Sequence, residues 1–510
     1  MALQILSATL GGIDARLISV QIDSQRGIHD FSIVGLGDKA VQESIDRIDA
    51  AVRQSGFSAP SLQHKKYIVN LAPADIKKEG SGYDLPIAIA YLIESGQIPA
   101  KFSPTGLMIG ELSLDGTLGH TNGVLAATML AESNNIKEII VPLCNAQEAS
   151  AVDGINVIGA QTLKDVISHL VGTKIIPVTI SSPANRVAKI GESSFAHIRG
   201  QYAAKRAMIV AAAGGHNILM IGTPGSGKTL LARAIIDLLP PLSRRESIEV
   251  GKIHSAAGLL RGPVHELPRP FCSPHHTASP VAIIGGGTAI RPGQISLAHR
   301  GVLFLDEIPE FPRNCLEALR QPLEDGVVTV ARASGAATLP AKFMLIGAMN
   351  PCPCGNFGDS NTQCICTQHA ITKYRKRISG PLLDRIDIRV YVGREDIKAP
   401  ESSNDIEGIC ASIQKARELQ FARLAPFGLI TNSEISHKTI DRLCKMESSA
   451  KNLLDGATNR KRLSLRSYHK IQKIARTIAD LDGADCIGDK HIAEALALRA
   501  ESSDESVLAH

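Results

Sequence analysis

The chain has 510 residues, 44% of them hydrophobic, which can fill the cores of roughly two to four domains and excludes a disordered chain. Its net charge of +5 is only mildly basic, so composition alone does not establish nucleic-acid binding. The sequence has neither a signal-peptide pattern nor an apolar run of about eighteen residues, which predicts a soluble, cytoplasmic protein with no membrane partner.

Residues 1–172 alternate short β-like runs with helical stretches, which predicts one α/β domain. One helix is indicated by Val41, Ile45, Ile48 and Val52, which recur at helical spacing. Residues 173–195 are rich in Ser, Pro and Gly and are predicted to be a linker. The predicted strands are RLISVQI, FSIVGL, KYIVNL, EIIVPL and INVIGA, which begin at residues 16, 31, 66, 138 and 155.

The front domain resembles the Lon-type protease fold in the stretch IVNLAPADIKKEGSGYDLPIAIA and in the IGELSLDGTLGH stretch that follows. That family uses a Ser nucleophile and a Lys base, and its motif falls here on Gly82 and Leu125, which carry neither reactive atom. Ser81 is one step from the nucleophile position, but no lysine accompanies it in NGVLAATML. We therefore interpret this segment as a Lon-protease-like domain without the catalytic dyad, which serves to assemble a ring or to guide DNA.

The strongest chemical signal is the stretch NILMIGTPGSGKTLLARAI, where an apolar strand leads into a glycine-rich loop and then into a helix. In this context backbone N–H groups curl around phosphates at the helix N-terminus, Lys228 reaches the β and γ oxygens, and Thr229 offers its hydroxyl to Mg²⁺. The alternative is an ordinary glycine-rich turn. The residues predicted to hold ATP here are Gly222, Thr223, Pro224, Gly225, Ser226, Gly227, Lys228 and Thr229.

A second element, GVLFLDEIPE, is predicted to be a buried strand that ends at Asp306 and Glu307. Ligands bind at the carboxyl ends of strands in an open α/β sheet, so Asp306 is expected to hold Mg²⁺ and Glu307 to polarise the attacking water. The buried strand FMLIGAMNP ends at Asn350, whose amide either orients that water and senses the γ-phosphate or forms a simple turn before proline.

Two inserts flank the acidic strand. Residues 262–294 contain His275 and His276, for which a polar loop is favoured over a metal site because no acid or cysteine lies at ligand spacing. Residues 324–345 alternate like a β-hairpin with Arg332 and Ser334 near the tip. A cationic tip suits the DNA backbone, so Arg332 is a candidate DNA contact, whereas a chain without Trp is not expected to read bases by stacking.

Four of the ten cysteines fall between residues 352 and 366. Two Cys-x-Cys pairs supply four soft ligands for a closed, structural Zn²⁺ site, and a reducing cytosol disfavours a disulfide knot. Because the spacing departs from the commoner Cys-x₂-Cys pairs, a redox-active or metal-free thiol cluster remains the alternative. The candidate ligands are Cys352, Cys354, Cys364 and Cys366, with His369 as a substitute.

The order of phosphate loop, LFLDE, Asn-ended strand, SGPLLDRIDI and SLRSYHKIQKIARTIADL resembles the AAA+ ATPases, and among them the magnesium-chelatase-like branch. The stretches AAAGGHNILMIG, RPFCSPHHTAS, IGGGTAIRPGQISLAHRGVLFLDE and AMNPCPCG resemble the YifB/ComM family, and this resemblance covers nearly the whole chain. It implies an αβα core over residues 196–395 and a C-terminal helical lid over residues 396–510. On the lid, Leu465, Tyr468, Ile471, Ala475 and Ile478 are predicted to share one face of a helix.

The resemblance also implies function. Members of the family form rings, typically hexamers, with nucleotide at each subunit boundary, and the matching positions make Arg385 the arginine finger and Arg466 the sensor on the lid. The hairpin would face the central pore. The implied activity is an ATP-driven motor on single-stranded and branched DNA. It would promote branch migration or unwinding with recombination proteins when incoming DNA is recombined during natural transformation.

Three alternatives remain open at this point. The first is a magnesium-chelatase-like ATPase that remodels a protein partner, and the second is a Lon-like ATP-dependent protease. The third is a scaffold that uses nucleotide only to close rings. Every alternative except the scaffold requires ATP and Mg²⁺ as cofactors for turnover. Zn²⁺ is a further possible cofactor, which the four cysteines would bind.

Overall fold

The computed structural model describes residues 3–28, 30–181, 194–287, 290–332, 335–359, 362–393, 405–461 and 463–499. Of the helices formed by these residues, none combines the length and apolar character needed to cross a bilayer. The described residues form a front α/β domain, a second α/β unit around the phosphate loop and a helical lid. This architecture agrees with the predicted mixed α/β class.

Nine strands and five helices make up the front domain. The strands are β1 (Leu3–Gly11), β2 (Asp14–Arg26), β3 (Asp30–Val34), β4 (Lys65–Ala72), β5 (Leu107–Met108), β6 (Glu111–Leu112), β7 (Leu118–Gly119), β8 (Glu138–Pro142) and β9 (Asn156–Ala160). The helices are α1 (Lys39–Gln54), α2 (Asp84–Glu94), α3 (Val124–Ser133), α4 (Leu143–Ala149) and α5 (Leu163–Val171). All five predicted strands and the predicted helix are confirmed.

A seven-stranded sheet in the order β3-β4-β2-β1-β5-β8-β9 organises this domain. Strands β1 and β2 form an antiparallel hairpin in which Gly11 pairs with Asp14. In β2 the alternating residues Ile18, Val20 and Ile22 are buried in the main core of the domain, while Leu17 on the other face is partly buried against a second, smaller cluster. The predicted linker begins after α5, and its Val178 still bridges to Ile158 of β9, while residues 182–193 lie outside the described part.

Leu125, at the base position of the Lon-type motif, and Ser81, next to its nucleophile position, both contact other residues of the protein. Leu125 is fully buried in a small apolar cluster with Ala151, Leu260 and Val264. The Ser81 hydroxyl donates a hydrogen bond to the Glu111 carboxylate. A carboxylate partner differs from the Lys base of that family. The Lon-like character of the domain and the absence of its catalytic dyad stay predictions.

The second unit is built on a five-stranded parallel sheet in the order β11-β14-β17-β10-β18. Its strands and those of its inserts are β10 (Ile218–Gly222), β11 (Phe271–Cys272), β12 (Gly285–Gly286), β13 (Arg291–Pro292), β14 (Val302–Leu305), β15 (Val327–Arg332), β16 (Gly335–Pro340), β17 (Met344–Met349) and β18 (Ile388–Val392). Its helices are α6 (Tyr202–Gly214), α7 (Lys228–Leu238), α8 (Arg244–Ala256), α9 (Pro280–Ile284), α10 (Gln294–Leu297), α11 (Arg313–Ala318), α12 (Pro322–Asp325), α13 (Gln368–Arg375) and α14 (Gly380–Leu383).

The central strands of this sheet are apolar throughout because both of their faces are covered. Strands β10, β14 and β17 have no residue outside the buried class. One face packs with α6 and the lid in a large hydrophobic cluster, and the other packs with the inserts. The predicted hairpin is confirmed as β15 and β16, which pair antiparallel from Val327–Pro340 to Arg332–Gly335. The side chain of Arg332 and all of Ser334 lie outside the described residues.

The lid consists of α15 (Ile406–Leu424), α16 (Ile440–Leu443), α17 (Ser448–Lys461), α18 (Leu465–Leu481) and α19 (Asp489–Ala497). The predicted helix is confirmed as α18, on which Ile471, Ala475 and Ile478 are buried. Leu465, in the first turn of the helix, is 72% exposed. This first turn borders the cleft described below.

The front domain contacts the second α/β unit through α8 and the β15–β16 hairpin. The buried Glu148 accepts hydrogen bonds from the Ser255 hydroxyl (2.6 Å) and from the Leu125 N–H (2.9 Å). Burial raises the pKa of Glu148, and these bonds oppose the shift. Gly12 contacts Ala337 of the hairpin closely enough that an added Cβ would lie 3.0 Å from the Ala337 side chain.

Candidate nucleotide site

The phosphate loop joins β10 to α7 at the carboxyl edge of the parallel sheet. Gly225 and Gly227 adopt left-handed backbone conformations with φ of 76° and 87°, and an added Cβ at either would meet no atom within 4 Å. The backbone N–H groups of this turn therefore border an open cradle at the start of an 11-residue helix. Inside the loop, the buried hydroxyls of Thr223 and Ser226 have no hydrogen-bond partner among the described residues.

Lys228 is held inside the loop rather than extended into solvent. Its Nζ donates to the carbonyl oxygens of Gly222 and Thr223, both at 2.8 Å, and to Asn350 Oδ1 at 3.3 Å. Burial lowers the pKa of Lys228, while the nearby carboxylates of Asp306 and Glu307 oppose that shift. A buried ammonium beside an open cradle is suited to an incoming polyanion.

The acidic pair follows β14 at the same edge of the sheet. Asp306 Oδ2 accepts a hydrogen bond from the Thr229 hydroxyl at 2.8 Å, and Asp306 Oδ1 accepts from the Glu307 N–H at 3.0 Å. The two predicted Mg²⁺ ligands, Thr229 and Asp306, are therefore already adjacent, and a hydroxyl with a carboxylate is a donor set that fits this hard cation. The geometry fits a nucleotide and its metal ion.

Glu307 stands in an unusual backbone conformation, with φ 50° and ψ 45°. This left-handed conformation is strained for a residue other than glycine, and strained residues are concentrated at functional sites. Its side chain remains 55% exposed, toward the open edge of the sheet. Glu307 Oε2 lies 3.9 Å from His276 Nδ1, and the His276 ring packs edge-on against Phe311.

The contact between His276 and Glu307 was missed by the sequence interpretation, which placed both histidines on a polar loop. The order of the strands in the sheet is the information that would have predicted this contact. Because β11 pairs in parallel with β14, the residues that follow each strand leave the sheet at the same edge. His275 stacks beside His276 with ring centroids 4.1 Å apart.

Asn350 follows β17, which lies between β10 and β14. This position brings its amide between the phosphate loop and the acidic pair, where it accepts the hydrogen bond from Lys228. Asn350 can also form the predicted turn, because Pro351 follows it directly. The geometry favours a role that senses the occupant of the loop.

The cysteine cluster comes immediately after Asn350. The sulfurs of Cys352, Cys354, Cys364 and Cys366 all lie within 4.8 Å of one another, and Cys352 Sγ is 3.3 Å from Cys354 Sγ. The backbone N–H groups of Asn356 and Ile365 lower the pKa of Cys354 to about 6. His369 is exposed and does not belong to the cluster that the described residues form. Four converging sulfurs fit a tetrahedral Zn²⁺.

Arg385 and Arg466 lie at the opposite, amino-terminal edge of the sheet. Arg385 comes just before β18, and its backbone oxygen accepts a hydrogen bond from the side chain of Asn217, the residue before β10. Arg466 lies in the first turn of α18, where the Ser464 hydroxyl caps the helix. The two guanidinium groups share one carboxylate, Glu324, which pairs with Arg385 and lies 2.8 Å from Arg466.

These arginines border a cleft of about 820 Å³ between the core and the lid. Deeper in the cleft Lys470 pairs with Asp387 at 2.7 Å, and burial lowers the pKa of Lys470 to about 8. Arg385 is further held by the carbonyl oxygen of Arg320 at 2.9 Å. The structure thus brings Arg385 and Arg466 together and separates both from the phosphate loop of the same chain.

Family models for magnesium chelatase match three successive parts of the chain. The model described as "Magnesium chelatase, subunit ChlI" matches residues 194–399, that of "Subunit ChlI of Mg-chelatase" matches residues 20–145, and that of "Magnesium chelatase, subunit ChlI C-terminal" matches residues 401–499. These ranges coincide with the core, the front domain and the lid. Together the three models match most of residues 20–499.

Two full-length relatives illustrate the similarity. The "Competence protein ComM" of Haemophilus influenzae is 40% identical over 496 residues, which cover 96% of this chain and 96% of that protein. The protein YifB of Escherichia coli is 38% identical over 496 residues, covering 96% of this chain and 95% of its own length. The magnesium-chelatase subunit ChlI of Euglena gracilis is 27% identical over 156 residues, covering 26% and 45%.

Proposed function

The chain belongs to the YifB/ComM family of magnesium-chelatase-like proteins, and from this premise we propose that it is an ATP-driven hexameric ring motor acting on DNA. The observation that supports the proposal is the placement of the candidate residues at two edges of one sheet. Lys228, Thr229 and Asp306 stand at one edge, while Arg385 and Arg466 stand at the other. A neighbouring subunit would bring the two sets together.

Hydrolysis would begin with ATP in the cradle, where Lys228 turns from its carbonyl partners toward the β- and γ-phosphates. Thr229 and Asp306 would hold Mg²⁺, which neutralises developing phosphoryl charge when bound. Glu307 would take up the water that attacks the γ-phosphate, and His276 would fix the position of its carboxylate. Asn350 would report the γ-phosphate because it already bonds to Lys228.

The positive charge that the phosphate loop lacks would come from arginines of the neighbouring subunit, at the boundary, or seam, between the two subunits. A guanidinium placed on the transferring phosphoryl group is worth about 10³ to 10⁵ in rate. In the single chain Glu324 holds both arginines with one carboxylate, which keeps them side by side in the absence of a neighbour. We infer that both, rather than Arg385 alone, act on the nucleotide of the next subunit.

DNA as the track is supported by two observations. One relative at 40% identity carries the name of a competence protein, and the β15–β16 hairpin, with Arg332 at the end of its first strand, directly precedes the Asn350 strand. We infer that Arg332 at the end of β15 contacts the DNA backbone and that the motor promotes branch migration or unwinding of incoming DNA during natural transformation.

The test is the ATPase rate with single-stranded, duplex and forked DNA over a salt series. Stimulation that weakens as salt rises is expected, because phosphate contacts release counterions. Equal rates with and without every DNA would overturn the motor proposal and leave the ATPase assignment in place. Chaperone-like remodelling of a protein partner is the second candidate, favoured by the three magnesium-chelatase matches, and unchanged rates with DNA would favour it.

We also infer that the four-cysteine cluster binds one structural Zn²⁺. A four-sulfur site leaves no coordination position for substrate, so the metal would hold the loop and take no part in catalysis. Metal analysis of protein purified without added zinc tests this directly. Stoichiometric zinc is expected, whereas near-zero zinc in folded protein would favour a free thiol cluster.

A further inference from the structure

The loop that carries the cysteine cluster touches the phosphate loop. Gly355, which directly follows the Cys-x-Cys pair, packs against the ring of Pro224, and an added Cβ would lie 2.6 Å from Pro224 Cδ. Gly355 also has a left-handed backbone conformation, with φ of 84°. Both the space and the conformation therefore require glycine at this position.

The same loop is tied to the sensing residue on its other side. Cys352 is fully buried and lies two residues after Asn350, which bonds to Lys228. The Cys352 carbonyl oxygen accepts a hydrogen bond from the Gly355 N–H at 3.0 Å, and its sulfur accepts one from the Phe357 N–H at 3.3 Å. The turn from Cys352 to Gly355 thus joins Asn350 along the chain to the residue that packs on Pro224.

A second contact fixes the far side of the loop to α13. Arg375 stacks over the Phe357 ring, 5.3 Å from its centroid, and its Nε donates to the Pro351 carbonyl oxygen at 3.3 Å. The loop is therefore held by a helix on one side and leans on the phosphate loop on the other. What holds its centre together is the cluster of four sulfurs.

We propose that the four-cysteine centre is a metal-dependent brace for the phosphate loop, in which bound Zn²⁺ fixes the Cys352–Gly355 turn against Pro224 and so sets nucleotide affinity. The proposal rests on the phosphate loop being the ATP site. It goes beyond a structural metal, because it makes nucleotide binding, rather than general stability, the property that depends on zinc. Mutation of the residues that support a metal's ligands typically costs about 10- to 100-fold in metal affinity or activity, and the lower bound is the effect expected here on nucleotide affinity.

The decisive variant leaves the cysteines intact. Gly355→Ala is expected to retain zinc but to bind ADP and ATP about tenfold more weakly, because the new methyl group displaces Pro224. Gly483→Ala is the matched control: Gly483 also has a left-handed conformation, φ 70°, but an added Cβ there meets nothing within 4 Å. Its nucleotide affinity is expected to equal that of the unmodified chain.

The experiment measures zinc per chain, the affinity for a fluorescent ADP analogue and the melting temperature. It compares the zinc-loaded chain, the chain stripped with a zinc chelator, the stripped chain reloaded with zinc, and both glycine variants. Stripping is expected to weaken ADP binding about tenfold, and reloading to restore it. Full affinity in stripped, folded protein, or in zinc-loaded Gly355→Ala, would overturn the brace. A zinc-loaded unmodified chain that binds no nucleotide would instead overturn the phosphate-loop assignment.

Discussion

Mixing two inactive variants tests whether the nucleotide site is shared between neighbours. Lys228→Ala removes the phosphate loop's charge, and Arg385→Ala removes the guanidinium at the opposite edge of the sheet. The five residues of β10 that separate these edges span roughly 15 Å, several times the length of a hydrogen bond. Arg385 therefore cannot serve the phosphate loop of its own chain, and each variant alone is expected to lose about 10³-fold or more in ATPase rate.

The mixture has a calculable activity. In rings assembled at random from equal amounts, a seam is complete when the Arg385→Ala chain supplies the phosphate loop and the Lys228→Ala chain supplies the arginine. Each condition holds for about half of the positions, so about one quarter of the unmodified rate is expected when seams act independently. The assay is steady-state phosphate release from mixtures that are dissociated and reassembled before measurement.

The control mixes Lys228→Ala with the double variant Lys228→Ala, Arg385→Ala. No seam in that mixture contains an intact phosphate loop, so it should remain inactive. A mixture of the single variants that is no faster than its components, although the rings exchange subunits, would refute the shared site. Full activity of Arg385→Ala alone would refute it equally.

Three further predictions concern the acidic residue at the site, a buried ion pair and the hairpin. Glu307→Gln is expected to retain ATP binding, measured by filter binding, but to lower turnover, measured by phosphate release, by about 10²- to 10⁴-fold. Rapid turnover by this variant would contradict the role of Glu307 in activating water. Hydrogen bonding from His299, with further bonding from Arg300, lowers the pKa of Glu249 from 4.5 to about 2, so its stabilisation is present above the unfolded pKa near 4.5 and is lost as pH falls toward 2. Glu249→Gln should therefore cost about 2 kcal/mol at pH 7, allowing for partial exposure, and urea titrations should show this difference shrinking in acid; a difference independent of pH would contradict the pKa argument. Arg332→Ala should reduce the salt dependence of DNA-stimulated ATPase activity by about one unit of logarithmic slope, and an unchanged slope would remove Arg332 from the DNA contacts.

Local patterns in the sequence predicted the parts of the site that depend on neighbouring residues. The phosphate loop needs a strand, glycines and a helix in succession, and the acidic pair needs only an apolar run before it. The carboxyl edge of a parallel sheet then brings Thr229, Asp306 and Asn350 together without any further information. For these elements short-range sequence is sufficient.

The remaining contacts depend on strand order and on packing between distant segments. Glu324 meets Arg385 and Arg466 across separations of 61 and 142 residues, which no periodicity encodes. His276 meets Glu307 only because β11 lies beside β14. The exposure of Leu465 depends on where the lid bundle ends, which helical spacing alone does not reveal.

The attachment of the front domain to the hairpin has a mechanical consequence. Ile13, in the turn between β1 and β2, is buried in the same hydrophobic cluster as Val330 and Leu339 of the hairpin. The neighbouring Gly12 lies so close to Ala337 that a Cβ added to it would be 3.0 Å from the Ala337 side chain. In the proposed motor, a movement of the hairpin would therefore be transmitted to the β1–β2 turn of the front domain. A fluorophore on the outer surface of the front domain would report such a movement.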